Sequence, residues 1–235
     1  MYIGEFSRSP FLLTILYMAS TTVDTETELS AVNSILGAIG QSPISVLKDP
    51  TTGVVTNANP EVQFVYNLLR DSNVDIQSEG WHFNTEKHVA YIPADVGGIK
   101  KIAIGNDILQ MDVSKGWSHR QYDVVKRNGY LYDKFDHTDD WGDLPDDGID
   151  LDITRLFEFE DLPSVFKRYV TNMAAGRAAT QLVGNPQLVQ LLATRESFAR
   201  AACIEYECNQ GNHTMFGLPE DSVYTGYQPW RSLAR

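Results

Sequence analysis

Apolar residues recur three and four positions apart through residues 162–209, which predicts two long helices with one buried face each. Gly184, Asn185 and Pro186 interrupt the pattern: glycine suits a left-handed helix end, asparagine caps a new helix and proline fits its first turn. Two helices joined so closely pack antiparallel as a hairpin. The second helix is expected to bury Leu188, Leu191, Leu192, Phe198, Ala199, Ala202, Cys203 and Tyr206.

The truncation Phe198→Ala is accordingly expected to cost roughly 3 to 5 kcal/mol of stability. Two further helices are predicted nearer the N-terminus. One begins at Thr25 or Thr27 and ends at Gly40, and the other begins at the cap, proline and acid of Asn59-Pro60-Glu61 and ends at Gly80. Together with the hairpin they make four helices.

Between the two helical pairs the hydrophobic period changes to two, which predicts β-strands in residues 81–161. Asn128-Gly129 is the strongest local signal, because both central residues of a type I′ hairpin turn need positive φ. Further short strands are predicted at residues 88–92, 102–104, 108–113 and 149–153. Glu158 and Glu160 alternate with two phenylalanines and are expected to share one strand face.

These patterns predict an α+β fold with a discontinuous four-helix unit. Its two parts are residues 25–80 and 162–210, with a mainly antiparallel β region inserted at residues 81–161. Trp81 and Phe83 are expected to pack the joint between helices and sheet. Residues 1–24 form an N-terminal extension, in which Met18 is a candidate start. The apolar run at residues 10–18 is too short to span a membrane, and no stable membrane association is expected.

Residues 211–235 are predicted to form an extended C-terminal arm that lies on another surface, because they are too few to build a core. Aromatic and Arg side chains dominate the energetics of interfaces. The arm is therefore expected to contact a neighbouring subunit or another protein through Tyr224, Tyr227, Trp230, Arg231 and Arg235. The alternative is that it folds back on its own helices.

A formal net charge of −12 argues against binding along nucleic-acid phosphates, which needs clustered cations. An acidic surface can instead border a path through which DNA slides, and the candidates are Asp143, Asp146 and Asp147. Dense carboxylates in this loop also permit a Ca²⁺ site, although their spacing does not match an EF-hand. The five histidines lack zinc-site spacing. Cys203 and Cys208 are read as free thiols in a reducing compartment.

Several runs, in chain order, carry a resemblance to a known family. They are residues 28–44 (ELSAVNSILGAIGQSPI), 78–84 (SEGWHFN), 128–133 (NGYLYD), 155–163 (RLFEFEDLP) and 205–207 (EYE). Together they resemble tail tubular protein A of short-tailed bacteriophages. The resemblance implies a structural virion protein, made in the host cytoplasm, that forms a twelve-subunit ring.

In this family the ring is the head-to-tail adaptor. It joins the portal protein to the tail nozzle, which is tail tubular protein B; tail fibres attach near the junction, and DNA passes through without specific binding. The resemblance implies no catalytic motif, no cofactor and no metal. The runner-up is a tail-associated hydrolase of cell-wall or capsular polysaccharide, which would need two carboxyl groups about 5 to 10 Å apart across a cleft.

Overall fold

A computed structural model describes residues 26–49, 53, 55, 59–114, 122–144 and 148–210. Within these residues there are four α-helices and seven β-strands, which form three sheets. The helices are α1 (Glu28–Ala38), α2 (Pro60–Gln77), α3 (Ser164–Ala178) and α4 (Pro186–Gln210). The strands are β1 (Thr85–Tyr91), β2 (Ala94–Val96), β3 (Ile99–Lys101), β4 (Ile108–Val113), β5 (Val124–Arg127), β6 (Tyr130–Asp133) and β7 (Ile149–Arg155). The predicted α+β class is confirmed.

Side-chain caps explain where α1 and α2 begin. The Thr27 side chain accepts a hydrogen bond from the Ser30 amide at 3.3 Å at the start of α1. At the start of α2, Asn59 accepts one from the Glu61 amide at 3.0 Å, and Pro60 occupies the first helical turn. Each cap satisfies an amide that has no partner inside its helix.

Helix α3 lies at the centre of the helical unit and packs against α1, α2 and α4. Its inward face carries Phe166 and Val170, which are fully buried, and Tyr169, which is 1% exposed. The core around it is closed by residues of the other three helices, among them Val32, Ile35, Leu36, Val65, Leu69, Ile76 and Leu192. Residues from all four helices therefore form one apolar core.

The turn between α3 and α4 forms where the sequence predicts it. After α3 the chain makes one π-helical turn at Ala179–Val183, and Gly184 then adopts the left-handed conformation with φ 66°. The Asn185 side chain accepts hydrogen bonds from the amides of Gln187 at 3.0 Å and Leu188 at 3.4 Å. The two helices pack side by side as a hairpin.

The expected burial on α4 is wrong at three positions. Leu192 is 2% exposed and Cys203 is fully buried, but Leu191 is 52% exposed, Phe198 is 72% exposed and Ala202 is exposed as well. The physical reason is that α4 packs chiefly on α3, so only a narrow stripe of this helix is covered. Phe198 does not fill the core in the described chain, and its truncation is not expected to unfold the protein.

The main sheet has three antiparallel strands in the order β1-β7-β4. Central β7 buries Ile149, Leu151 and Ile153. Two hairpins accompany this sheet, one formed by β2 and β3 and the other by β5 and β6. A second apolar core results, separate from that of the helices, and it contains Ile102, Ile104, Ile108, Val124, Leu131, Trp141, Ile149, Leu151 and Ile153.

The β5–β6 hairpin turns at Asn128-Gly129, as predicted, with φ of 51° and 80° and with Arg127 opposite Tyr130. Two other strand predictions are wrong. Residues 102–104 follow β3 and pair with the β5–β6 hairpin through one isolated bridge, Ala103 to Tyr130, with backbone hydrogen bonds from Ile104 to the Gly129 carbonyl at 2.8 Å and from Leu131 to the Ile102 carbonyl at 2.9 Å; this pairing is too short to form a strand. Glu158 precedes a 3-10 turn at Phe159–Asp161, so Glu158 and Glu160 do not share a strand face.

Candidate functional site

Trp81 lies in the short connection between the end of α2 and the start of β1. Its side chain is 7% exposed, and its indole Nε1 donates a hydrogen bond to the carbonyl oxygen of Ile76 at 2.7 Å. The ring packs edge-on against Phe166 with centroids 5.0 Å apart, and Phe83 contacts Phe166 at 4.6 Å. The two aromatic residues therefore bring the first residues after α2 against the centre of α3.

Two buried amide side chains extend this junction into the sheet. Asn84 donates from Nδ2 to the carbonyls of Gln77 at 2.9 Å and Arg155 at 3.0 Å. Gln77 donates to the Phe157 carbonyl at 2.9 Å and accepts from the Phe157 amide at 2.8 Å. Buried amides bonded on both sides tie α2 to the end of β7. Hydrophobic patterning gave no sign of these contacts, because both residues are polar.

The described part of the acidic loop uses several carboxylates for its own structure. Asp133 is 2% exposed and accepts from the amides of Asp123 at 3.2 Å and Phe135 at 2.8 Å. Asp139 pairs with Lys101 at 2.5 Å, and Asp140 accepts from the Gly142 amide at 3.1 Å. Nearby, Trp141 is buried and its Nε1 donates to the Leu131 carbonyl at 3.0 Å.

Asp143 is exposed, whereas Asp146 and Asp147 lie outside the described residues. Within the part of the chain that the structure describes, no three His, Cys, Asp or Glu side chains converge to hold a metal ion. The calcium alternative therefore has no support from the described carboxylates of this loop.

A serine that follows the end of β4 meets a histidine of β1 and an aspartate of β7. The Ser114 hydroxyl oxygen lies 2.6 Å from His88 Nδ1 and donates to Asp152 Oδ1 at 2.9 Å. The His88 backbone amide also donates to this carboxylate, at 3.1 Å, from a β-bulge where His88 has φ 55°. This cluster joins β1, β7 and the residue after β4, and the scattered sequence positions gave no signal of it.

The order of these three groups differs from that of a hydrolase. In a catalytic triad, histidine lies between serine and carboxylate so that it can take the serine proton. Here serine lies in the middle, donates its hydroxyl hydrogen bond to Asp152 and is itself only 2% exposed. The cluster therefore holds three strands in register rather than presenting a nucleophile.

A pocket of about 390 Å³ lies beside α2, with Glu28, Lys48 and Tyr66 on one wall and Asp107 and Glu158 among the other residues. Glu28 forms an ion pair with Lys48. Burial lowers the pKa of the Lys48 ammonium, but hydrogen bonds to Glu28 and Tyr66 outweigh it, so the pKa is raised. The lysine therefore stays charged and paired, and stabilises the contact between the loop after α1 and α2.

Helices α3 and α4 leave an open groove of about 340 Å³ on their outer side. Its walls carry Val165, Arg168 and Asn172 from α3 and Arg195, Phe198, Ala199 and Ala202 from α4. We call this the α3–α4 groove. Below it, Arg200 holds α4 in place through two hydrogen bonds of 2.9 Å to Glu79 and one of 2.7 Å to the Tyr169 hydroxyl.

Residues 29–213 of the chain match the family model of tail tubular proteins. The chain is a tail tubular protein. A comparison with curated proteins gave no significant match. The matched residues include every strand described above and the four helices apart from Glu28, the first residue of α1.

As a tail tubular protein the chain is a structural component of the bacteriophage tail and assembles there with other tail proteins. None of its described helices is long and apolar enough to cross a membrane. The arm residues Tyr224, Tyr227, Trp230, Arg231 and Arg235 lie outside the described residues, so their contacts with other subunits stay predictions. Trp81 is buried and Phe83 is partly buried, and both pack against Phe166.

Proposed function

We propose that this tail tubular protein is of the A type, the head-to-tail adaptor. In this role it forms a ring, of twelve subunits by resemblance, between the portal protein and the tail nozzle formed by tail tubular protein B. Tail fibres attach near the junction, and the ring encloses the channel for DNA ejection. The match to tail tubular proteins over residues 29–213 carries the proposal, and the five runs that resemble the A type refine it.

The outer surface of α4 supports a role in assembly. Leu191 and Ile204 are 52% and 48% exposed, and neither residue lines the α3–α4 groove. Large apolar side chains exposed on an assembly protein are candidates for contacts that a partner covers. A ring closes when one face of each subunit meets a different face of the next, so a single exposed helix can serve as one of the two faces.

The negative net charge of the chain supports a ring that lets DNA pass without binding it. With a formal net charge of −12, the ring would repel phosphates within the screening distance of about 8 to 10 Å. We assign Asp143, Asp146 and Asp147 either to the channel wall or to the rim of the ring. The arm residues Tyr224 and Trp230 are proposed to reach a neighbouring subunit or the portal.

Native mass measurement and negative-stain electron microscopy test the proposal, using the purified full chain alone and mixed with portal protein. The expected result is a closed ring that adds to the portal. The proposal would be refuted if the chain stayed monomeric and did not bind the portal protein.

A variant that ends at residue 221 tests the arm. It removes Tyr224 to Arg235 and leaves every described residue in place. Its protomers should melt almost normally while rings or portal complexes fail to form. Unimpaired assembly of the shortened chain would remove the arm from the interface.

The described residues offer no observation that favours the glycan hydrolase. The Ser114 cluster has the wrong order of groups, and Glu158 and Glu160 do not share a strand face. The hydrolase would regain support if the purified protein cleared peptidoglycan or capsule and lost this activity on a single Glu or Asp substitution.

A further inference from the structure

The α3–α4 groove has an apolar end and a charged end. The two helices run antiparallel, and the contact of Cys203 Sγ with the Val165 carbonyl sets their register. Val165 and Ala202 therefore line one end of the groove, and Asn172 and Arg195 line the other. The first pair is apolar and is nearer the C-terminus of α4. The second pair is polar and ends in a guanidinium group.

The groove is open and carries positive charge. Phe198 is 72% exposed at its middle, which is unusual for so large an apolar side chain. Arg195 is exposed and makes no ion pair with any residue that the structure describes. Arg168 forms an ion pair with Glu26 at 3.5 Å. A complementary occupant would be apolar at one end and acidic at the other.

We propose that residues 212–221 of the same chain occupy this groove. The segment follows Gln210, the last residue of the helix that forms one wall, and Gly211 allows the chain to reverse there. Phe216, Leu218 and Glu220 alternate along it, so an extended segment places all three on one side. Along the groove, Ala202 and Phe198 offer apolar surface and Arg195 offers a positive charge. The order of Phe216, Leu218 and Glu220, two apolar residues followed by an acidic one, is complementary to it.

The length of the segment fits the groove. Along α4, Ala202, Phe198 and Arg195 lie about 12, 18 and 22 Å back from Gln210, at about 1.5 Å per helical residue. If the reversal takes up Gly211 and one further residue, Phe216, Leu218 and Glu220 lie about 13, 20 and 26 Å back at about 3.3 Å per extended residue. Phe216 then meets Ala202, Leu218 meets Phe198, and the Glu220 carboxylate comes within reach of Arg195.

This contact does not rest on the adaptor role. It concerns residues up to Asp221, and the aromatic residues beyond that point stay available to a neighbouring subunit or the portal. The chain ending at residue 221 keeps the whole docking segment, so the two proposals can fail separately.

Disulfide trapping in the full chain tests the contact. The variant Phe198→Cys with Leu218→Cys is made in a Cys208→Ser background, which removes the exposed native thiol. Because Phe198 is mostly exposed, its replacement does not disturb the core. The control places the first cysteine at Ser197→Cys, an exposed position at the same height but about 100° around the helix.

Under dilute mild oxidation, the Phe198 variant should form an intramolecular disulfide roughly tenfold faster than the control, because a disulfide needs its two Cα atoms within about 7 Å. Mass analysis separates bonds within a chain from bonds between chains. Equal rates in the two variants would refute docking. A disulfide between chains would also refute it, since the groove would then hold a neighbour's arm.

A charge exchange provides a second readout. Arg195→Glu or Glu220→Arg alone should slow the trapping several-fold, and the two changes together should restore it. Trapping that is insensitive to both single changes would refute the pairing of Arg195 with Glu220.

Discussion

At the scale of single residues, the two cysteine thiols of α4 lie in different surroundings. Cys208 is exposed, whereas Cys203 is buried and its Sγ contacts the Val165 carbonyl at 3.4 Å. Burial raises the pKa of the Cys203 thiol from 9.0 to about 12, because a thiolate would be poorly solvated there. A thiol reagent at pH 8 should therefore label Cys208 quickly and Cys203 only after unfolding, as mass spectrometry would show.

The raised pKa of the Cys203 thiol makes the free energy of unfolding depend on pH in the alkaline range. The unfolded chain loses the Cys203 proton near pH 9 and the folded protein holds it to about pH 12. Burial of this thiol therefore contributes stability that is fully present below pH 9 and is lost as the pH rises through that interval. Labelling of both thiols at equal rates in the native protein would contradict the assignment.

Leu191 and Leu192 provide a matched pair on α4. Leu192→Ala should lower the free energy of unfolding by about 2 to 5 kcal/mol, because it leaves a cavity beneath the helix. Leu191→Ala should cost less than about 1 kcal/mol, since that side chain is half exposed. Urea denaturation followed by circular dichroism measures both changes, and equal losses would show that α4 buries a different stripe.

The sequence predicts the structural role of a residue only where that role depends on residues nearby in the chain. The caps at Thr27, Asn59 and Asn185 were predictable because each acts within three residues of itself. Which stripe of α4 is buried depends instead on how many neighbours surround it. Leu191, Leu192 and Phe198 all fit helical spacing, and the structure covers only Leu192.

At the scale of elements, two glycines with similar backbone angles have different surroundings. Gly148, at the start of β7, has φ 77°, and a Cβ there would lie 2.2 Å from the Tyr91 carbonyl oxygen. Gly129, in the β5–β6 turn, has φ 80° and open space around it. The structure therefore separates the cost of a left-handed backbone from the cost of a clash.

Gly129→Ala should cost about 1 kcal/mol from its backbone angle alone. Gly148→Ala should cost roughly 3 kcal/mol or more, because β1 must also move away from the added methyl group. Thermal melting of the two variants makes the comparison. If the two melted alike, the close approach of Gly148 to β1 would be incorrect.

Elements were predictable from the sequence to different degrees. The β5–β6 hairpin needs only Asn128-Gly129 and the residues on either side, so its turn was found directly. The position of β7 between β1 and β4 depends on pairing over long sequence distances, about which alternation says nothing. The buried amides of Gln77 and Asn84 were also missed, because nothing in a polar residue's spacing shows that it is buried.

At the scale of the whole molecule, the acidic loop provides a test of the DNA path. Replacing Asp143, Asp146 and Asp147 with Lys changes the charge by about six units without altering any buried described residue. If these residues border the channel, the ring should still assemble but genome ejection should slow, because lysines bind phosphate. Ejection is measured by DNA release from assembled particles.

The matched control replaces the same three residues with Asn, which removes negative charge without adding positive charge. This variant should eject nearly as fast as the wild type. Unchanged ejection in the Lys variant would place the loop on the outer rim of the ring.

The central strand of the sheet is also the last of its strands to be synthesised. Roughly 60 residues separate the end of β1 from the start of β7, and at about 5 to 20 residues per second the ribosome needs several seconds to make them. Helix α3, at the centre of the helical core, follows only a few residues after β7. The sheet core is therefore completed only when β7 is made, and the helical core only when α3 and α4 follow it, so a nascent chain that stops before β7 has neither.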